Sequence, residues 1–265
     1  MDLQLEGKQA IVTGSTQGIG FAIAAALAGE GASVVVNGRT QDKVEKALDR
    51  LDEQAGGTIK ARGVAADLGT AEGAAKMISE VPEADILVNN AGIFDPTPFE
   101  NIEDADWERF WQVNVMSGVR LSRHYLPIMK QKNWGRIVFI SSESGLHIPA
   151  EMIHYGVTKS AQISLARGMA ETTRATGVTV NSVLPGPTAS EGVMTFVERM
   201  AEENGITNEQ MEEEFFKTAR PSSLLQRFTE PEEIARMVAF LCSPLSSATN
   251  GAPIRVDGGV VRSMA

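Results

Sequence analysis

Tyr155 and Lys159 stand four residues apart in Tyr155-Gly156-Val157-Thr158-Lys159, a spacing that puts two side chains on one face of a helix. A phenol ionises near pH ~10 in water, too high to exchange protons efficiently at neutral pH, but a neighbouring ammonium stabilises the phenolate. The pair can then act as general acid or base. The same spacing arises by chance, and taken alone a surface tyrosine beside a solvated lysine accounts for it. Other groups of matching chemistry lie upstream. Ser141-Ser142 ends an apolar run, where a hydroxyl could donate to a carbonyl oxygen, and Asn89-Asn90-Ala91-Gly92 ends the run before it. Asn114 falls in a helical stretch between the two; a lone asparagine there ordinarily faces solvent.

A second cluster handles phosphate. Thr13-Gly14-Ser15-Thr16-Gln17-Gly18-Ile19-Gly20 joins an apolar run to an alanine-rich helical stretch. Glycines there permit a tight turn and close approach of backbone to a pyrophosphate, and a helix N-terminus supplies free N–H groups. The spacing is G-x-x-x-G-x-G rather than G-x-G-x-x-G, and turn chemistry alone explains such a cluster about as well. The next apolar run ends in Asn37-Gly38-Arg39-Thr40, where an NAD-selective site would carry Asp or Glu for the ribose 2′-hydroxyl. Arg39 offers a cation to a 2′-phosphate instead, which favours NADP(H), with NAD(H) as the alternative.

These groups need a scaffold. Apolar runs at 9–13, 33–37, 59–65, 84–89, 136–141, 178–184 and 253–256 alternate with helical patterns at 18–29, 42–54, 71–79, 105–130, 155–176 and 231–242. Strand and helix taking turns predict an α/β, doubly wound fold with a mostly parallel, seven-stranded sheet covered on both faces. Ligands then bind at the carboxyl ends of the strands, where the glycine turn, Asn90 and Ser142 all fall. No linker or repeat divides the 265 residues, so one domain is expected. The rhythm breaks only at 190–220, whose glutamates 198, 202, 203, 209 and 212–214 alternate with apolar residues. It reads as one or two amphipathic helices outside the sheet: a solvated insertion, with a lid over the site as the sharper alternative.

Composition narrows the function classes. A net charge of −10 disfavours nucleic acid or an anionic membrane as the main partner. Cys242 is the sole cysteine, no Cys/His cluster has metal-ligand spacing, and no metal is expected. With neither a signal peptide pattern nor a membrane-length apolar run, the expected setting is the cytoplasm.

Taken together, the Thr13–Gly20 turn, Asp67-Leu68, Asn89–Gly92, Asn114, Ser142, Tyr155, Lys159, Asn181, Pro185-Gly186 and Asp257-Gly258-Gly259 resemble, in order and across nearly the whole chain, the short-chain dehydrogenase/reductase family. The resemblance extends to its 3-oxoacyl carrier-protein reductase-like oxidoreductases. It implies that Ser142 holds the substrate oxygen, that Tyr155 gives or takes its proton, and that Lys159 lowers the tyrosine's pKa while binding the nicotinamide ribose. Asn114 would hold a relay water. Asp67 and Leu68 would contact adenine, Asn90, Ala91 and Gly92 the adenosine ribose region, and Pro185, Gly186 and Thr188 the nicotinamide end. Where the family runs P-G-x-x-x-T, this chain has Pro185-Gly186-Pro187-Thr188-Ala189-Ser190, leaving Thr188 and Ser190 as alternatives. Ser144, Leu146, His147, Met152, His154, Met194 and Phe196 become candidate pocket residues. The implied activity is NADPH-dependent reduction of a small-molecule carbonyl, or its reverse. An NAD-dependent alcohol or sugar dehydrogenase is the runner-up, and a non-catalytic NADP(H)-binding protein fits less well. The family's habit also implies a homo-oligomer, a dimer or tetramer.

Overall fold

The structure, a computed structural model, describes residues 1–57 and 59–264. Seven strands, β1 (Gln9–Val12), β2 (Ser33–Gly38), β3 (Ala61–Ala65), β4 (Ile86–Asn89), β5 (Gly135–Ile140), β6 (Val178–Pro185) and β7 (Pro253–Val256), form one sheet in the order β3-β2-β1-β4-β5-β6-β7. Every neighbouring pair is parallel. Successive side chains of a strand point to opposite faces. Ala10, Val12, Val34, Val36, Ile86, Val88, Val138 and Ile140 therefore enter one core, and Ile11, Val35, Leu87, Ile137 and Phe139 the other. Helices cover both faces, so both sets are apolar and the strands read as continuous hydrophobic runs.

The helices that follow in chain order are α1 (Gly18–Gly29), α2 (Gln41–Ala55), α3 (Ala71–Glu80), α4 (Asp104–Phe110), α5 (Ser117–Gln131), α6 (Ile153–Glu171), α7 (Glu191–Asn204), α8 (Asn208–Thr218) and α9 (Pro231–Cys242). Leu27, Leu51 and Val238 carry α1, α2 and α9 onto the first core; Met77, Leu121, Tyr125 and Ala166 carry α3, α5 and α6 onto the second. The chain runs outward from β1 through β2 to β3, then crosses back to β4 on the other side of β1. That reversal opens a crevice between the carboxyl ends of β1 and β4, the general binding place in such sheets. No helix among the described residues is long and apolar enough to cross a membrane.

Three departures from the expected elements bear on the site. The helix expected over 105–130 is interrupted: Trp111–Met116 is a π-helical turn between α4 and α5. The wider turn leaves carbonyls without their usual partners, and side chains take them: Ser117 Oγ donates to Val113 O at 2.5 Å and Gln162 Nε2 to Asn114 O at 2.6 Å. Helix α6 stops at Glu171 rather than reaching 176, where the Thr172, Thr173 and Thr176 hydroxyls bond carbonyls three residues back and Ala175 turns to φ 60°. Finally Arg136, read as part of an apolar strand, is a fully buried cation that donates to the carbonyls of Ser243, Gly135 and Gly177 at 3.2, 2.9 and 2.9 Å. Burial pushes its pKa down.

The 190–220 segment forms two helices, α7 and α8, joined through Gly205 in the left-handed conformation and by a capping box of Thr207 with Gln210. Val197, Phe216 and Phe228 bury a small separate core between them, with ring centroids of Phe215, Phe216 and Phe228 5.2 Å apart. Most of its glutamates lie on the solvent side.

Candidate active site

The glycine turn is anchored from three sides. Ser15 is fully buried: its Oγ donates to Val12 O at 2.6 Å and accepts the Asn37 N–H at 3.0 Å. Asn37 Oδ1 accepts the Gly14 N–H at 3.1 Å while its Nδ2 holds Val64 O and Ala66 O. Just beyond β4, Asn90 Nδ2 donates to Thr13 O at 2.9 Å and Gly14 O at 3.0 Å, and the N–H groups of Asn90 and Ala91 both reach Thr13 Oγ1 at 2.9 Å. A Cβ at Gly20 would stand 2.4 Å from Asn90 Nδ2 and from Gly14 O. The result is a cradle of bare backbone at the start of α1, where Gln17 is exposed and supplies no side-chain cap. That is the surface a dinucleotide pyrophosphate needs.

The remaining residues expected at a cofactor divide by what their side chains do. Arg39 is exposed just beyond β2, free to meet a phosphate. Asp67 is exposed and its Oδ1 accepts the Gly69 N–H at 3.0 Å, whereas the Leu68 side chain is buried in the core, so any ligand contact by Leu68 is through its backbone. Pro185 ends β6. Gly186 has Asp257 O 2.6 Å from where its Cβ would be, and the buried Thr188 Oγ1 is shared between Gly186 O and Thr229 Oγ1.

The chemical cluster sits on the other wall of the crevice. Helix α6 presses against the turn that follows β5: Ser141 Oγ donates to Lys159 O at 2.8 Å and Ser160 Oγ to Gly145 O at 2.7 Å. Gly145 lacks a Cβ that would meet the Lys159 backbone at 2.9 Å. This contact brings Ser142 close enough to Tyr155 to favour the ionised phenol. Ser142 Oγ also accepts the Ser144 N–H at 3.1 Å. Lys159 is buried, its Nζ 2.9 Å from Ile140 O and 5.5 Å from the Tyr155 ring centroid. Asn114 Oδ1 accepts the Ile93 N–H at 2.8 Å, and its Nδ2 donates to Ile93 O and Thr158 Oγ1 at 3.0 Å each. Its side chain thus ties the loop after β4 to α6, and Gly92 lies between: a Cβ there would be 3.4 Å from Asn114 Oδ1 and 3.5 Å from Lys159 Nζ.

The electrostatics differ from the simple pairing expected. Burial pushes Lys159 down to about 7, and burial also pushes Tyr155 up to about 12, with Ser142 and Arg220 working against that rise and Glu143 adding to it. In the protein alone the lysine faces a carbonyl dipole and does not bring the phenol towards neutrality.

Of the expected pocket residues, His154 and Ser144 belong elsewhere. His154 is buried with its ring 4.0 Å from Phe110 and 6.0 Å from Trp107, and Ser144 is buried in the turn beside Ser142. Leu146 and His147 are exposed; Met152, Met194 and Phe196 are partly covered.

Three features were not anticipated. Asn37, which stood in the sequence as the end of a strand, braces the glycine turn through its side chain, and Thr13, the first residue of that turn, holds the loop after β4 through Oγ1. Glu191, first residue of α7, receives the Gly18 N–H on Oε2 at 2.6 Å and Arg50 Nη1 on Oε1 at 3.1 Å, which holds its carboxyl below the usual range. Arg220 makes a buried ion pair with Glu143. The last two join residues 173 and 77 positions apart, which no local pattern could reveal.

Comparison with known proteins gives the family. The profile of the family described as enoyl-(acyl carrier protein) reductase matches residues 14–261. The oxidoreductase YvaG of Bacillus subtilis (strain 168) is 50% identical over 264 residues, covering 100% of both chains. The chain belongs to the short-chain dehydrogenase/reductase family. It is accordingly an NAD(P)(H)-dependent oxidoreductase of CH–OH and carbonyl groups. Another member of the family, the 3-oxoacyl-(acyl-carrier-protein) reductase of Aquifex aeolicus (strain VF5), is 34% identical over 264 residues, 98% of this chain and 100% of its own. Among solved structures of the family, L-sorbose reductase from Gluconobacter frateurii, complexed with NADPH and L-sorbose, superposes with a TM-score of 0.93 at 30% identity over 100% of both chains.

Proposed function

We propose that the protein is an NADPH-dependent carbonyl reductase in which Tyr155 is the acid that protonates the reduced oxygen, or the base in the reverse direction. The observation that carries this reading is the convergence of Ser142, Tyr155, Lys159 and Asn114 on one wall of the crevice whose other wall is the glycine turn. When bound, the dinucleotide supplies or accepts the hydride. Gly14, Gly18, Ile19 and Gly20 would lie along its pyrophosphate, Arg39 would meet the 2′-phosphate, and Lys159 would hold the nicotinamide ribose.

Ser142 holds the substrate oxygen by donating to it, so that charge developing there is met by a hydroxyl already fixed by the Ser144 N–H. Tyr155 donates the proton that completes the alcohol. Lys159, its Nζ held at Ile140 O, brings an ammonium to the site below about pH 7, and Asn114 fixes the loop bearing Gly92 against α6. NADPH is favoured over NADH because Arg39 stands at the end of β2 with no carboxylate in Asn37–Thr40. The whole chain acts as one catalytic domain, with α7 and α8 as its lid. A homo-oligomer in the cytoplasm completes the reading, supported by family habit and by a lone, buried Cys242.

Steady-state rates for ketones, 3-oxoacyl thioesters and sugar-like ketones with NADPH and NADH, and for alcohols with NADP+ and NAD+, test it. Turnover with NADPH well above that with NADH is expected; the opposite ranking would establish the NAD-dependent dehydrogenase instead.

A further inference from the structure

Three charges from distant parts of the chain meet beside the tyrosine. Glu143 directly follows Ser142, Glu151 lies in the 3-10 turn Ala150–Met152 that leads into α6, and Arg220 closes the insertion after α8. Arg220 Nε donates to Glu143 Oε1 at 2.9 Å, and its Nη1 donates to Glu151 Oε1 at 3.0 Å and to Ala219 O at 2.8 Å. The Arg220 and Glu143 side chains are only 7% and 4% exposed. The second Glu143 oxygen, Oε2, is buried with no protein partner, so the carboxylate depends on Arg220 for its place. A buried pair of this kind adds little net stability, because both ions lose their hydration. Its distinguishing property is where it puts the segments it joins.

We propose that Arg220 is a positioning residue of the proton-transfer site: by binding Glu143 and Glu151 together it sets the Ser142 turn against the start of the Tyr155 helix, and it does so only while the 190–220 insertion is seated. The proposal rests on the reading of Tyr155 as acid and base. It has an electrostatic signature that simple bracing lacks. The charged groups bearing on the phenol are Glu143 from the serine turn and Arg220 from the insertion. Lys159, its Nζ 5.5 Å from the ring centroid, is pushed down to about 7 by burial and is uncharged where the phenol titrates, and the neighbouring His154 is turned into Phe110 and Trp107. Glu143 opposes ionisation of Tyr155 and Arg220 favours it. The two act there in opposite senses, so losing either one unbalances the site in a definite direction.

The chain has two tyrosines. Tyr125 is fully buried with its hydroxyl on Val81 O, and burial pushes it up further than Tyr155. The first tyrosinate absorbance to appear in an alkaline titration of the full-length protein therefore reports Tyr155, and its disappearance in Tyr155→Phe verifies the assignment. Glu143→Gln should bring that onset to lower pH, Arg220→Met should move it to higher pH, and Arg220→Lys should leave it near the wild type. In turnover, Arg220→Met and Glu143→Gln should lose about 10–100-fold in kcat, with NADPH affinity by nucleotide fluorescence unchanged and Arg220→Lys largely restored. Shifts of the same sign in Glu143→Gln and Arg220→Met, or full kcat in Arg220→Met, overturn the proposal. Should Arg220→Met fail to fold, equal onsets in Glu143→Gln and Arg220→Lys overturn it as well. Titration needs no substrate, so a wild-type protein inert toward every carbonyl would refute the functional reading separately.

Discussion

Tyr155 and Lys159 are displaced by burial in opposite senses, and this decides how the reaction should depend on pH. With Tyr155 up at about 12, the phenol stays protonated and able to donate throughout the working range. Lys159, down at about 7, carries its charge below that pH and loses it above. Reduction should therefore slow as pH rises through about 7, and kcat/KM measured across pH 6–9 should show a falling limb that Lys159→Met lacks. Tyr155→Phe keeps the ring but deletes the proton; turnover should drop by about 10²–10⁴-fold or more while NADPH still quenches or enhances fluorescence as in the wild type. Undiminished activity in that variant would exclude the mechanism. The residue types and spacing of the proposed site were legible in the sequence because the chemistry needs specific functional groups, a hydroxyl after β5 and a phenol and an amine one helical turn apart on α6. Their ionisation was not, since it depends on which atoms bury them: Lys159 Nζ facing Ile140 O follows from packing, not from spacing.

At the scale of elements, the insertion is held at both ends: Glu191 at the start of α7 reaches Gly18 and Arg50, and Arg220 after α8 reaches Glu143 and Glu151. One end thus sits on the glycine turn and the other on the turn that bears Ser142. The Glu191 carboxylate takes the Gly18 N–H of the glycine turn and so places negative charge where the proposed pyrophosphate would lie. Glu191→Gln should tighten NADPH by about 2–10-fold, the scale of a charge near a helix N-terminus; weaker binding by fluorescence titration would count against this competition. Strands were readable from apolar runs bounded by glycine and asparagine, and α7 and α8 from the alternation of glutamate with Val197, Met211 and Phe216. The π-helical turn at Trp111–Met116 was not, because it preserves the helical look of the sequence while changing which residue faces inward. Asn114 is buried there through bonds to Ile93 and Thr158, partners that only the folded chain supplies.

Across the whole molecule, the doubly wound order follows from alternating strands and helices, yet the ties that close it join remote residues. Arg136 links the starts of β5 and β6 to the carbonyl of Ser243 at the end of α9, and Ser243 Oγ donates to Leu3 O at 2.8 Å. Replacing Arg136 by Met leaves these carbonyls unpaired and should lower the unfolding free energy by about 1–3 kcal/mol, measurable by urea denaturation; an unchanged midpoint would show that water substitutes fully. The same knot governs how the chain must be made. Residues 3 and 243 meet, and α9 covers α1, so a nascent chain on the ribosome presents an uncovered Ala-rich helix until α9 has emerged and an open β6 edge until β7 has. Folding to completion is thus postponed until residues 231–256 have been made, and a message truncated before residue 231 should yield aggregate rather than a smaller enzyme.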